Sequence, residues 1–133
     1  MLTFCKERPL SWLVTVAIVL LSLLPIGAVE IAENVPFADK WTHMVMYAVL
    51  TLVIWMEHVR RTTPPSPRFL ILWAILFPIT LGGILELLQA YATTYRSGEW
   101  MDWAADSVGT LLAIPVAFLL TKVLQTKAST TTD

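Results

Sequence analysis

Between Leu10 and Val29 the chain runs for 20 residues without a charged side chain. A helix rises 1.5 Å per residue, so such a run is about 30 Å long, the thickness of a bilayer's hydrocarbon core. Backbone that lies in lipid must satisfy its own N–H and C=O groups, which restricts spanning structures to helices and closed barrels. Pro9 suits the first turn of a helix, and Lys6 and Arg8 precede it. A basic start before an apolar run also describes a cleaved signal peptide. This run is long for that role and no clean Ala-x-Ala site follows it, so a retained first helix is the reading adopted.

Three further apolar runs follow, from Trp41 to Met56, from Phe69 to about Tyr91 with Pro78 inside, and from Asp102 to about Leu120. The expected fold class is all-α: an integral membrane bundle of four transmembrane helices in a single domain, 1–133. The spans are expected at about 10–29, 40–57, 69–91 and 102–121, with a flexible tail over 122–133. Composition agrees: 56% of residues are apolar and 14% charged, against about 45–50% and about 25% in soluble domains. A net charge of −1 carries no footprint of nucleic-acid binding. With Cys5 as the one cysteine, neither an intrachain disulfide nor a cysteine metal cluster is available.

Lys and Arg set the expected orientation, because they accumulate in cytoplasmic loops. Lys6 and Arg8 precede the first span, Arg60, Arg61 and Arg68 lie between the second and third, and Lys122 and Lys127 follow the fourth. Lys40 and Arg96 fall on the other side. Both termini are therefore expected in the cytoplasm. Trp12, Trp55 and Trp73 then lie near inner ends, and Trp41, Tyr91, Trp100 and Trp103 near outer ends, where aromatic belts sit. Glu57 to Arg68, with its three prolines, reads as the clearest linker.

In this topology the polar residues gather at the outer face. Asp39, His43 and Tyr47 recur at i, i+4 and i+8 on one helical stripe, with Lys40 beside it. Gly82, Glu86 and Gln89 share a face of the third helix. Asp102 and Asp106 share a face of the fourth, continued by Gly109, which also belongs to a row of small residues with Ala105 and Ala113 that permits close helix approach. The inner halves of the helices read as almost free of comparable residues. Carboxylates in lipid-like sequence are costly and call for partners or function.

Several readings of this set follow. The plain one is a satisfied structural or partner-binding network in a non-enzymatic membrane protein. His43, Glu86, Asp102 and Asp106 also offer one nitrogen and several oxygens to a cation, though in no established ligand spacing. His43 beside a carboxylate suits proton transfer, and Lys40 with Arg96 suits an anionic group of a lipid-linked or cell-wall substrate. Ion translocation is the weakest reading, because no polar path through the inner half is visible.

The segment Asp39-Lys40-Trp41-Thr42-His43 with Tyr47, followed by Glu86, Gln89, Arg96, Asp102 and Gly109, resembles the VanZ-like family of bacterial membrane proteins. The resemblance runs from Asp39 to about Ala113. It implies a multi-pass protein of the bacterial inner membrane that contacts membrane lipids and binds or modifies a cell-envelope component, with a link to resistance against the glycopeptide teicoplanin. On that reading His43, Glu86, Asp102 and Asp106 carry the chemistry, and Asp39, Lys40, Tyr47, Gln89 and Arg96 hold the substrate. Asp106 departs from the family pattern, where Asn is common, and adds a negative charge. The resemblance supplies no cofactor and fixes neither a metal nor an oligomeric state.

Overall fold

In the computed structural model, residues 8–24, 37–62, 65–94 and 98–130 are described. Every regular element among them is helical: α1 (Pro9–Leu23), α2 (Ala38–Arg61), α3 (Pro67–Ala92) and α4 (Trp100–Thr130). The helices α2, α3 and residues Trp100–Thr126 of α4 are each long and apolar enough to cross a membrane. α1 is a shorter apolar helix of 15 residues, about 22 Å long. Its expected continuation to Val29 lies outside the described residues.

Side-chain contacts fix the directions of the helices. Ser11 on α1 meets Glu57 on α2, and Gln89 on α3 meets Ser22 near the far end of α1. Lys40, His43 and Trp55 on α2 meet Asp102, Asp106 and Thr121 on α4 in the same order. Thus α1 runs with α3, α2 runs with α4, and consecutive helices are antiparallel. One end of the bundle gathers Lys40, Glu86 and Asp102, and the other gathers Arg8, Glu57 and Ser66.

Polarity across the helices is the reverse of that in a soluble bundle. The buried positions of α1 are Ser11, Thr15, Ile18 and Ser22, while Leu10, Leu13, Val16, Leu20 and Leu21 are exposed. On α4 the buried stripe includes Asp102, Asp106, Thr110, Ala113 and Ala117, and Leu111, Leu112, Val116, Phe118 and Leu119 face out. On these two helices small and polar side chains sit mostly inside, where they allow close packing and find partners, and large apolar ones point outward, while α2 and α3 also bury Tyr47, Leu50, Ile54, Trp55 and Leu85. This is the pattern of a membrane protein, whose surroundings are as apolar as leucine.

α3 accommodates Pro78 by widening. Proline has no N–H for the carbonyl four residues earlier, and its ring crowds that carbonyl. Residues Leu70–Leu76 accordingly form a π-helical stretch, and the Phe77 N–H reaches back to the Leu72 carbonyl. The α-helix then resumes through Gly82, Glu86 and Gln89, all three buried.

Two sequence expectations about α2 need correcting. The helix expected to end near Glu57 continues to Arg61, because Glu57 and His58 are buried against neighbouring elements and keep the chain helical. Trp55 is no belt residue: it is buried, and its indole N–H donates to Thr121 Oγ1 inside the bundle at 3.1 Å.

At Gly109 the backbones of α2 and α4 approach closely. A Cβ there would collide with the backbone carbonyl of Met44. Backbone cannot rotate away as a side chain can, so the two helices would have to separate. Gly109→Ala is expected to lower stability by about 1–3 kcal/mol, the usual cost of overpacking, despite alanine's better helix propensity. Thermal unfolding of the purified protein in detergent checks this.

Candidate functional site

The polar end of α2 begins abruptly. Phe37, its N-cap, has a φ of 58°, a left-handed conformation that is unusual for a bulky residue. Asp39 and Lys40 follow in the first turn. The Lys40 ammonium lies 2.8 Å from Asp39 Oδ2, 2.9 Å from Glu99 Oε2 and 2.7 Å from Asp102 Oδ1. An ammonium has three donors, and all three are taken. Lys40 therefore ties the start of α2 to the start of α4 and has no donor left for an added anion.

One turn further in, His43 Nδ1 stands 3.0 Å from Asp106 Oδ1, and its Nε2 stands 3.9 Å from Asp102 Oδ2. His43, Asp106 and Glu86 are all buried, Asp106 at 1% exposure. One possible ligand atom from each of these three lies within 4.8 Å of the others. Asp106 fits only because α3 has no side chain opposite it: a Cβ on Gly82 would stand 2.6 Å from Asp106 Oδ2.

Glu86 also has a backbone partner. Its Oε2 accepts the N–H of Glu99 at 2.8 Å, just before α4 begins. Close by, Glu86, Leu87, Ala90, Tyr91, Gly98, Glu99 and Trp100 line a small open cleft. Gly98 lies so close to α3 that a Cβ there would meet the Glu86 carbonyl. Trp103 clamps the same pair of helices, with its indole N–H donating to the Ile79 carbonyl at 3.0 Å.

The remaining expected site residues divide. Gln89 is buried and donates from Nε2 to the Ser22 carbonyl at 2.9 Å, so it joins α3 to α1. Tyr47 is 1% exposed and belongs to the core, one turn below His43. Asp39 is exposed at the rim. Arg96 lies outside the described residues. The structure thus brings together His43, Glu86, Asp102 and Asp106 with Lys40 and Asp39, and it places Tyr47 and Gln89 in the packing beneath and beside them.

The opposite end of the bundle corrects the expectation that the inner halves hold little of comparable polarity. The buried Glu57 carboxylate accepts the backbone N–H groups of Leu10 and Ser11 at 3.1 and 3.0 Å, and the Ser11 hydroxyl as well. α1 has no side-chain cap of its own, so Glu57 caps it from a neighbouring helix. His58 Nδ1 faces Arg8 Nη2 at 3.1 Å, and its Nε2 faces the Ser66 N–H at 2.9 Å. A neutral imidazole has one acceptor nitrogen, so His58 satisfies one of these donors at a time. Phe69 stacks on His58 at 4.1 Å, and the Arg8 guanidinium lies 4.0 Å from its ring centre. A sequence signal for this network existed. The stripe His43, Tyr47, Leu50, Ile54 continues at helical spacing to Glu57 and His58, which places them on the buried face.

No family model matches the chain, and neither does any curated protein or solved structure.

The three ion pairs of Lys40 make a quantitative test. Its side chain is 19% exposed and that of Asp102 is 12% exposed, so the pair with Asp102 is less screened than a surface pair worth about 0.2–1 kcal/mol, while Asp39 and Glu99 are more than half exposed. Lys40→Met keeps the aliphatic length and leaves three carboxylates facing one another. It is expected to cost more than that surface range, and adding Asp102→Asn should restore part of the loss. Thermal unfolding of the single and double variants gives the answer.

Proposed function

We propose that this chain is a VanZ-like protein of the bacterial inner membrane, a bundle of four transmembrane helices with both termini cytoplasmic, whose outer-face polar pocket binds or modifies a cell-envelope component. The observation that carries the reading is the burial of His43, Glu86 and Asp106 together at the end of the bundle where Lys40 and Glu99 mark the rim. The described part of this pocket is acidic. Among the described residues it holds Asp39, Glu99 and Asp102 around Lys40, whose donors are taken, and Glu86 and Asp106 deeper beside His43. Such a pocket suits a cationic or hydroxyl-rich group of an envelope component better than a bare phosphate. Binding of an anionic group rests on Arg96 alone.

Within this reading His43 and Asp106 exchange or hold a proton, and Glu86 supplies a second carboxylate. Asp102 and Lys40 fix the start of α4 beside them. The link to teicoplanin resistance rests on the family resemblance and is a phenotype to be scored.

A second reading is favoured by particular contacts. Lys40 with Glu99 and Asp102, Gln89 with the Ser22 carbonyl, and Glu86 with the Glu99 N–H are all bonds between elements of the bundle. They support a structural or partner-binding network in a non-enzymatic protein.

Ligand-dependent thermal stability separates the two. A ligand at 100 times its Kd stabilises the folded state by about 2.7 kcal/mol. An amine-bearing envelope lipid is expected to raise the Tm of the wild type by more than a phosphorylated polyisoprenoid does, and to leave His43→Ala unmoved. If neither lipid shifts the wild type while Glu86→Gln loses much of its stability, the network is structural.

A further inference from the structure

Two clusters of cation-ligand side chains stand at the outer end of the bundle. In the shallower one, Asp39, Glu99 and Asp102, the Lys40 ammonium already sits among the oxygens at 2.7–2.9 Å. That cluster has its cation. The deeper cluster, His43, Glu86 and Asp106, is different. Among the described residues, Glu86 and Asp106 have no Lys or Arg within ion-pairing distance. Both carboxylates are buried, and one imidazole cannot neutralise two acids.

Its geometry is that of a ligand set. One nitrogen and two carboxylate oxygens, from three different helices, lie within 4.8 Å of one another. Metal–ligand distances are about 2.0–2.2 Å, so small rotations bring all three onto one ion. Gly82 leaves the space in which the Asp106 carboxylate stands. Asp102 Oδ2 is 3.9 Å from His43 Nε2, so a small shift would let it accept a hydrogen bond from the Nε2–H if Nδ1 binds the ion, in the carboxylate–histidine–metal arrangement.

A second observation points the same way. Thr110 is one turn beyond Asp106 on α4, and Thr51 is one turn beyond Tyr47 on α2. Both are fully buried, and neither hydroxyl has a hydrogen-bond partner in the protein. Other threonines of this chain, such as Thr15 and Thr121, bond the carbonyl four residues earlier. Buried hydroxyls without partners are uncommon and call for a ligand or water. Thr110 lies one turn from Asp106 on α4, and Thr51 two turns from His43 on α2.

We propose that His43, Glu86 and Asp106 bind one divalent transition-metal ion, zinc or manganese, between α2, α3 and α4. One imidazole with two carboxylates suits these ions, whereas magnesium and calcium prefer oxygen throughout. With both carboxylates ionised and the imidazole neutral, the three ligands carry a charge of −2, which the ion offsets. Three protein ligands leave a coordination position open, as in catalytic zinc sites. The metal site does not depend on which envelope ligand the pocket takes.

The test uses full-length protein purified in detergent and stripped with chelator. Zn2+, Mn2+ and Mg2+ are titrated by calorimetry, and bound metal is counted by elemental analysis. The wild type is expected to bind one zinc or manganese ion per chain, with a rise of several degrees in Tm. His43→Ala, Glu86→Gln and Asp106→Asn should each weaken binding at least tenfold. Glu99→Gln and Asp39→Asn, in the shallower cluster, should leave it within threefold. For the wild type alone, electron spin-echo spectroscopy of bound Mn2+ should show coupling to one imidazole nitrogen, a readout that needs no variant to fold. Absence of stoichiometric binding, a manganese signal without nitrogen coupling, or binding lost in Glu99→Gln and kept in His43→Ala would overturn the proposal. Those results would leave the lipid-dependent stability of the wild type untouched, so the two readings fail separately.

Discussion

A buried glutamate holds the start of a neighbouring helix at each end of this molecule, and much of the arrangement depends on that. The first N–H groups of a helix have no partner within it, and at membrane depth each unpaired group costs several kcal/mol. Glu57 on α2 accepts them from Leu10 and Ser11 of α1. Glu86 on α3 accepts the Glu99 N–H at the entry to α4. A negative charge also suits the positive end of a helix dipole. These bonds fix α1 against α2 and α4 against α3.

The acids at that end then fall into two layers with different chemistry. The rim layer is closed by Lys40, whose ammonium is shared among three carboxylates. The inner layer, His43 with Glu86 and Asp106, has a hydrogen bond, and among the described residues no Lys or Arg pairs with its two acids. Gly82 and Gly109 make the inner layer possible. One gives room to the Asp106 carboxylate, and the other lets α4 lie directly against the backbone of α2. Closer packing also excludes water, which strengthens every charge interaction inside.

Much of this was legible in the sequence because helices in lipid obey strong rules. Unbroken apolar runs marked the helices, and the spacing of Asp39, His43, Glu86, Asp102 and Asp106 put them on facing stripes. Other features were not legible. Lys40 as a three-way clamp depends on Glu99, whose position follows from the turn before α4 and not from any periodicity. Glu57 and His58 read as linker because prolines follow closely, yet burial against α1 carries the helix through them to Arg61. Pro78 marked a disturbance in α3, but not that the chain would absorb it as a π-helical stretch over Leu70–Leu76.

The central claim is that His43 and Asp106, from parallel helices, act on each other inside one buried site. A double-mutant cycle on stability measures this directly, using His43→Ala, Asp106→Asn and the pair. Residues in direct contact typically couple by about 0.5–3 kcal/mol, while independent ones add to within about 0.3–0.5 kcal/mol. Coupling of about 1 kcal/mol or more is the result the structure predicts. Simple additivity would mean that the two side chains do not meet, and the inner layer as described here would not exist.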